Sequence, residues 1–275
     1  MTQRGLGAAL TFEGERASGD KAIALFDQAV QAFQMALEVY TKAALPQDWA
    51  MTQNNLGGAL QGEAELADGE KAIVLLDQAV QAYQKALEVR TKADLPRDWA
   101  MTQNNLGGAL EGEAELASGE KAAALLDQAV QAYEKALEVF TKAGLPGYWA
   151  GVEMNLEEIQ LRAGHFDSCL REAGILSDDT FSQSNAVIRD VVRLACQWGA
   201  GDKSAALATE KALLANAATP TAGLLNFTGA NHVPVGSPAF ATGRDSWIAL
   251  FTAVQNSDSA GMTAALHQLE PILQQ

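Results

Sequence analysis

The chain is poor in the residues that carry out chemistry. Its 275 residues include two cysteines, Cys169 and Cys196, and three histidines, His165, His232 and His267. Two thiols are too few for a disulfide framework, and they lack the paired Cys/His spacing of a tetrahedral zinc site. They read as reduced, packed thiols. No histidine has a nucleophile or second ligand at motif spacing, and no GxGxxG, Walker or HExxH pattern occurs. Glu157 and Glu158 are neighbours along a helix rather than a facing carboxylate pair. A non-catalytic protein without metal or cofactor is expected. The one segment open to a chemical role is Gly-Ala-Asn-His at 229–232, and a turn stabilised by Asn and Gly explains it equally well.

Positive charge is also scarce. Lys and Arg number 19 against 34 Asp and Glu, a formal charge of −15, with −9 from positions 1–150 and −6 from positions 151–275. Lys and Arg must neutralise a polyanion for nucleic acid to bind, so nucleic acid is not an expected partner. Long apolar runs are missing too. The amino terminus has no basic segment leading into an apolar stretch, and nowhere do about 18 apolar residues run together as a membrane span requires. With 48% hydrophobic residues the chain can still build a core, and a soluble cytoplasmic protein without membrane contact is the simplest expectation.

What the chain has is repetition. Leu6, Leu56, Leu106 and Leu156 fall in one column of a 50-residue period, and Trp49, Trp99 and Trp149 fall in another. Between 50–99 and 100–149, 41 positions are identical. A period of 20–50 residues marks a solenoid whose units bury their apolar faces against their neighbours. Each unit reads as two helices. Helix A carries Met101, Leu106, Leu110 and Leu116; helix B carries Leu125, Leu126, Ala129, Val130, Tyr133, Ala136, Leu137 and Phe140 in one broad stripe. Asp48 and Asp98 are placed to cap helix A, Asp68 and Ser118 to cap helix B, and Leu-Pro at 45–46, 95–96 and 145–146 marks the turn between units. Helices of roughly 19 and 24 residues would be about 28 and 36 Å long. The tryptophans, beside Leu-Pro, fit a packing plug between units, and Phe33, Tyr83 and Tyr133 fit the core stripe of helix B.

The Leu-Gly pair with a further leucine (Leu56, Gly57, Leu60), followed by Ala79, Tyr83, Ala86 and a proline turn, resembles the tetratricopeptide repeat over residues 1 to about 165. The unit is longer than the usual 34 residues, and Asn-Asn-Leu at 54–56 and 104–106 resembles the kinesin light chain type. The resemblance implies an all-α fold: a right-handed α-solenoid of antiparallel helix hairpins with a helical C-terminal cap. It also implies that Asn54, Asn55, Asn104, Asn105 and Asn155 face an inner groove and bond the backbone of a guest peptide. Repeat one departs with Arg4 and Gly5 in those columns, and repeat four has Met154.

The shorter helix A is expected to line the concave side, where Asn54, Gly58, Gln61 and Glu65 share one face. Carboxamides both donate and accept, so a row of them can hold an extended chain of any sequence. Gly58, Gly62, Gly108 and Gly112 would let that chain approach. Glu15, Glu65, Glu111 and Glu115 would favour a partner with a basic or polar segment. A solvated acidic face, and asparagines that are only duplicated consensus, are the plainer account.

Beyond 1–150, residues 151–217 read as degenerate repeats and capping helices, 218–244 as a long Gly/Pro-containing loop, and 245–275 as a final hairpin in which Asp245 and Asp258 can cap. The leading expectation is a scaffold or adaptor binding a peptide or protein in the groove. The alternatives are a self-assembling solenoid, because Met1 shares the column of Met51 and Met101 and leaves helix A of repeat one free to stack on another copy or on upstream repeats of a longer protein, and a targeting arm for an enzymatic or ligand-binding C-terminal module.

Overall fold

The computed structural model describes residues 2–175, 183–215, 238–256 and 258–274. Every described regular element is helical. The chain divides into two compact units, 1–144 and 145–275. The long loop at 218–244, including His232, lies outside the described residues up to position 237.

In the first unit, three hairpins follow one another: α1 (Gln3–Gly14) with α2 (Gly19–Val39), α3 (Pro46–Ala64) with α4 (Gly69–Leu87), and α5 (Pro96–Leu116) with α6 (Gly119–Leu137). Each helix packs on its sequence neighbours, and α2 and α4 also cover the helix A that follows. This is a helical repeat array compatible with a tetratricopeptide-like solenoid. Ala29, Ala79, Ala36, Ala86, Ala50, Ala100, Ala59 and Ala109 are all buried, so small side chains bring the helix axes close.

Glycine decides how close. A Cβ on Gly57 would stand 2.7 Å from the Tyr83 ring, and one on Gly107 would stand 2.7 Å from Tyr133; the ring of Phe33 closes on Gly7 in the same way. Helix B of each repeat therefore seats an aromatic ring on the backbone of its own helix A. Between repeats, Gly62 receives Phe26 and Gly112 receives Leu76. Gly62 and Gly112 are thus packing positions rather than the open approach expected for a guest chain, because the preceding helix B already fills that space. Gly58 and Gly108 are less tightly packed: a Cβ on Gly58 would meet Tyr83 Oη at 3.7 Å, and one on Gly108 would meet Gln61 Nε2 at 3.4 Å and Tyr133 Oη at 3.7 Å, all ordinary contacts.

Several local expectations are corrected. Helix A is the shorter member only in repeat one, where α1 has 12 residues and α2 has 21; α3 and α4 have 19 each, and α5 has 21 against 19 in α6. Helix B stops early because Glu138 and Val139 bond three residues back, to Lys135 and Ala136, and this tightened turn ends the α-helix. Asp48 and Asp98 are not caps. Pro46 and Pro96 are already the first helical residues behind Leu45 and Leu95, and a proline at that position has no amide needing a partner. The aspartates instead lie in the first turn, where a carboxylate suits the helix dipole. Asp68 and Ser118 occupy cap positions but make no side-chain cap bond; the glycines after them, Gly69 and Gly119, enter with φ of +56° and +58°. Trp49 and Trp99 are half-buried rather than full plugs, and Trp149 is buried.

Ion pairs recur with the period. Lys42 reaches Glu88 at 2.5 Å and Lys92 reaches Glu138 at 2.6 Å, each tying one inter-repeat turn to the next helix B. Buried Glu63 and Glu113 are met by Lys71 and Lys121 at 2.9 and 3.0 Å.

In the second unit, α7 (Pro146–Arg162) and α8 (Phe166–Ile175) lead into α9 (Gln183–Gly199) and α10 (Lys203–Ala215); α11 (Arg244–Gln255) pairs with α12 (Ser259–Leu273). Its core gathers Leu161, Val191, Leu194, Trp247, Phe251, Leu266 and their neighbours. Asp258 caps α12 through Gly261 N at 2.9 Å, whereas Asp245 sits inside the first turn of α11, behind Gly243. Cys169 and Cys196 are not separate thiols: α8 against α9 brings their Cα atoms to 6.1 Å, and the two are joined in a disulfide. No described helix is long and apolar enough to cross a membrane.

The two adjacent glycines of α3 give a test. Gly57→Ala should cost about 1–3 kcal/mol by forcing Tyr83 off the helix, whereas Gly58→Ala should be neutral or gain up to about 1 kcal/mol from helix propensity. Denaturant midpoints read both, and equal shifts would show that the ring does not rest on Gly57.

Candidate functional site

The polar residues singled out by the repeat sit on helix A at steps of three and four, so Asn54, Gly58, Gln61 and Glu65 form one stripe on α3, and Asn104, Gly108, Glu111 and Glu115 repeat it on α5. Asn54, Asn55, Asn104 and Asn105 are all half-buried. Asn155, also half-buried, is carried by α7 in the second unit and stands apart from this description.

The four amides of the first unit form a chain. Asn104 Nδ2 donates to Asn105 Oδ1 at 3.4 Å, Asn105 Nδ2 to Asn54 Oδ1 at 3.5 Å, and Asn54 Nδ2 to Asn55 Oδ1 at 3.4 Å. All three bonds are long, at the weak end of the hydrogen-bond range. Each carboxamide keeps unused capacity, since it has two N–H donors and two lone pairs. Asn54 also meets the next repeat, where Thr102 Oγ1 shares its one proton between Asp98 O at 2.8 Å and Asn54 Oδ1 at 3.1 Å. Thr102 in turn takes a 2.8 Å bond from the Arg90 guanidinium. Arg90 is buried, which lowers its pKa, while nearby Asp98 opposes that shift. Asp98 thus serves as countercharge to Arg90.

The amide row ends at repeat one. Arg4, in the column of Asn54, pairs with Asp48 and lies 5.1 Å from the Tyr40 ring centre.

Below the amides, the tyrosines reach into the stripe. Tyr83 Oη donates to Gln61 Oε1 at 3.4 Å and Tyr133 Oη to Glu111 Oε2 at 3.2 Å. Their rings are core, as their stripe predicts, and their buried hydroxyls support the polar stripe from beneath. The signal was present in the sequence: Thr11 accompanies Phe33, whereas Gln61 accompanies Tyr83 and Glu111 accompanies Tyr133, always 22 residues apart.

Glu15, Glu65 and Glu115 lie within electrostatic reach of one another. Glu65 is exposed at its edge, yet partial loss of water around its carboxyl, and then the charges of Glu15 and Glu115, push its pKa above the ordinary 4.5. Between α1, α2 and α3 a cavity of about 360 Å³ is lined by Glu15, Phe26, Gly58, Gln61, Glu65 and Leu66 with smaller neighbours.

Other polar groups are structural. On α7, Glu153, Glu157, Glu158, Gln160 and Arg162 are buried, and Glu153 accepts a 2.8 Å bond from Trp149 Nε1. Glu210 on α10 is fully buried; burial, and then Glu270, raises its pKa. Among the described residues no three His, Cys, Asp or Glu converge as a metal site.

No family model and no curated protein matches the chain.

A folded-state pKa raised at Glu65 means that its contribution to stability is complete below the unfolded value and is lost as pH rises through the folded one. Glu15→Gln removes one of the two repelling charges and should lower the Glu65 pKa, read from carboxyl carbon shifts in an NMR titration. An unchanged midpoint would mean that the two carboxyls do not sense each other.

Proposed function

We propose that the chain is a right-handed, tetratricopeptide-like solenoid with a helical cap, acting as a non-catalytic scaffold or adaptor that holds an extended segment of a partner protein along the helix A surface. The observation that carries this reading is the amide row. Four half-buried carboxamides in register, joined by weak bonds, can open toward the amides and carbonyls of a guest chain at small cost. Gly58 and Gly108 lie one turn along the same stripe, and the absence of a side chain there leaves room for a backbone to come close to the helix. The acidic residues at the far end of the stripe, Glu65, Glu111 and Glu115, favour a basic or polar guest.

A second reading, self-association through α1, is supported by one comparison. Leu56, Ala59, Leu60 and Glu63 are buried beneath the preceding repeat, and so are their equivalents on α5; on α1, Leu6, Ala9 and Glu13 are exposed and Leu10 is half-buried. Phe12 stands in the column where Gly62 and Gly112 receive Phe26 and Leu76. A second copy would therefore have to meet α1 face to face, since Phe12 occupies the space a stacked helix B would need. Sedimentation velocity over a concentration series tests this, and a monomer throughout would remove it.

For the leading reading, Asn55→Ala with Asn105→Ala should weaken capture of co-purifying partner proteins by about tenfold or more while the helical circular dichroism stays unchanged. Undiminished capture would take the amide row out of the binding surface.

A further inference from the structure

The cavity between the first two hairpins differs from the rest of the stripe, and its walls specify more than an extended chain. Part of its lining is apolar: the buried Phe26 ring and the more exposed Leu66 side chain, with Gly58 and Gly62 alongside. Its rim is acidic, with Glu15 supplied by the end of repeat one and Glu65 by the end of repeat two, and Gln61 offers a carbonyl oxygen between them. At about 360 Å³ the cavity is at the small end of the range for ligand sites.

We infer that this cavity receives a lysine or arginine side chain of the guest segment, its methylene stem lying on Phe26 and Leu66 and its charged end between Glu15 and Glu65. The inference rests on the groove reading above and names the residue class that the groove selects. Three features point to this occupant. Long basic side chains are amphipathic, and an apolar floor beneath a charged rim matches both halves of them. Among the described residues the two carboxylates do not converge with a third metal-ligating side chain, and a group that spans between them suits their spacing along the rim better than a metal ion does. The chain as a whole carries −15, so an approaching cation is drawn toward this surface and an anion is repelled. Loss of water is the main cause of the raised Glu65 pKa and the charges of Glu15 and Glu115 come second; a cation entering the cavity offsets the second of these.

The corresponding place one repeat further on is built differently. Leu76 replaces Phe26 and Glu111 replaces Gln61, so the aromatic floor, over which a cation is further attracted, belongs to the first cavity.

The test uses the full chain and fluorescein-labelled octapeptides of alternating Gly-Lys, Gly-Ser and Gly-Glu, read by anisotropy at physiological salt. The Gly-Lys peptide should bind at least tenfold more tightly than the other two, and Glu15→Gln with Glu65→Gln should weaken it by about tenfold, as expected for loss of a charge-assisted contact. The same loss of two charges at the exposed Glu70 and Glu120, through Glu70→Gln with Glu120→Gln, should change it less than twofold.

Absent Gly-Lys binding, equal weakening by both pairs of substitutions, or displacement of the peptide by an equal charge of spermidine would each overturn the inference. The Asn55→Ala, Asn105→Ala protein separates the two ideas. If it loses all peptide binding while the Glu15/Glu65 variant keeps Gly-Lys binding, the groove stands and the basic cavity falls. If it keeps Gly-Lys binding that still depends on Glu15 and Glu65, the cavity stands without the amide row.

Discussion

The first unit depends on an aromatic ring lying flat on a helix that has no side chain beneath it. Tyr83 on Gly57, Tyr133 on Gly107 and Phe33 on Gly7 set the separation of the two helices in each hairpin. That separation lets the alanine columns touch, and it brings the tyrosine hydroxyls to Gln61 and Glu111 at the surface. The same device used between hairpins, with Phe26 on Gly62 and Leu76 on Gly112, sets the register in which Asn105 meets Asn54. A solenoid has only nearest-neighbour contacts to hold it, so a change of a few tenths of an ångström at one glycine is felt at every polar contact of that repeat.

Much of this was legible because it is local and repeated. The 50-residue period, the stripes at three- and four-residue steps and the breaks near Ser118-Gly119 and Leu95-Pro96 all act within one unit, where sequence and structure correspond directly. The errors arise where a contact is distant or a role is ambiguous. Leu-Pro was read as the turn out of a unit, but Pro46 and Pro96 begin the next helix. The end of helix B was set by its stripe, but the stripe continues through Phe140 while the backbone tightens at Glu138. The thiols of Cys169 and Cys196 looked isolated because nothing in their spacing shows α8 lying on α9. A disulfide is the bond of an oxidising compartment, so it removes the ground on which a cytoplasmic location was expected.

The candidate site shows the same division. That the asparagines and glutamates share a face follows from helical periodicity. That the asparagines bond one another does not, because the link from Asn105 to Asn54 spans 51 residues and exists only in one register of the stack. Gly57 and Gly58 are the same residue put to different use, one pressed beneath the Tyr83 ring and the other only in ordinary contact with its hydroxyl, and only packing distinguishes them.

Duplication explains why the acidic row exists. Copying a unit copies its charges into the same column, so Glu15, Glu65 and Glu115 are brought to the same side at the repeat spacing. Like charges so aligned disfavour the stack. Elsewhere the chain has compensated: Lys71 and Lys121 were copied along with Glu63 and Glu113, and Arg4 replaced an asparagine where Asp48 could meet it. Between Glu15 and Glu65 the wall holds an apolar floor and a carboxamide rather than a cation. In the proposed reading, a cationic side chain lying on this apolar wall would offset the charge of Glu15 at Glu65, a repulsion that the folded chain otherwise carries.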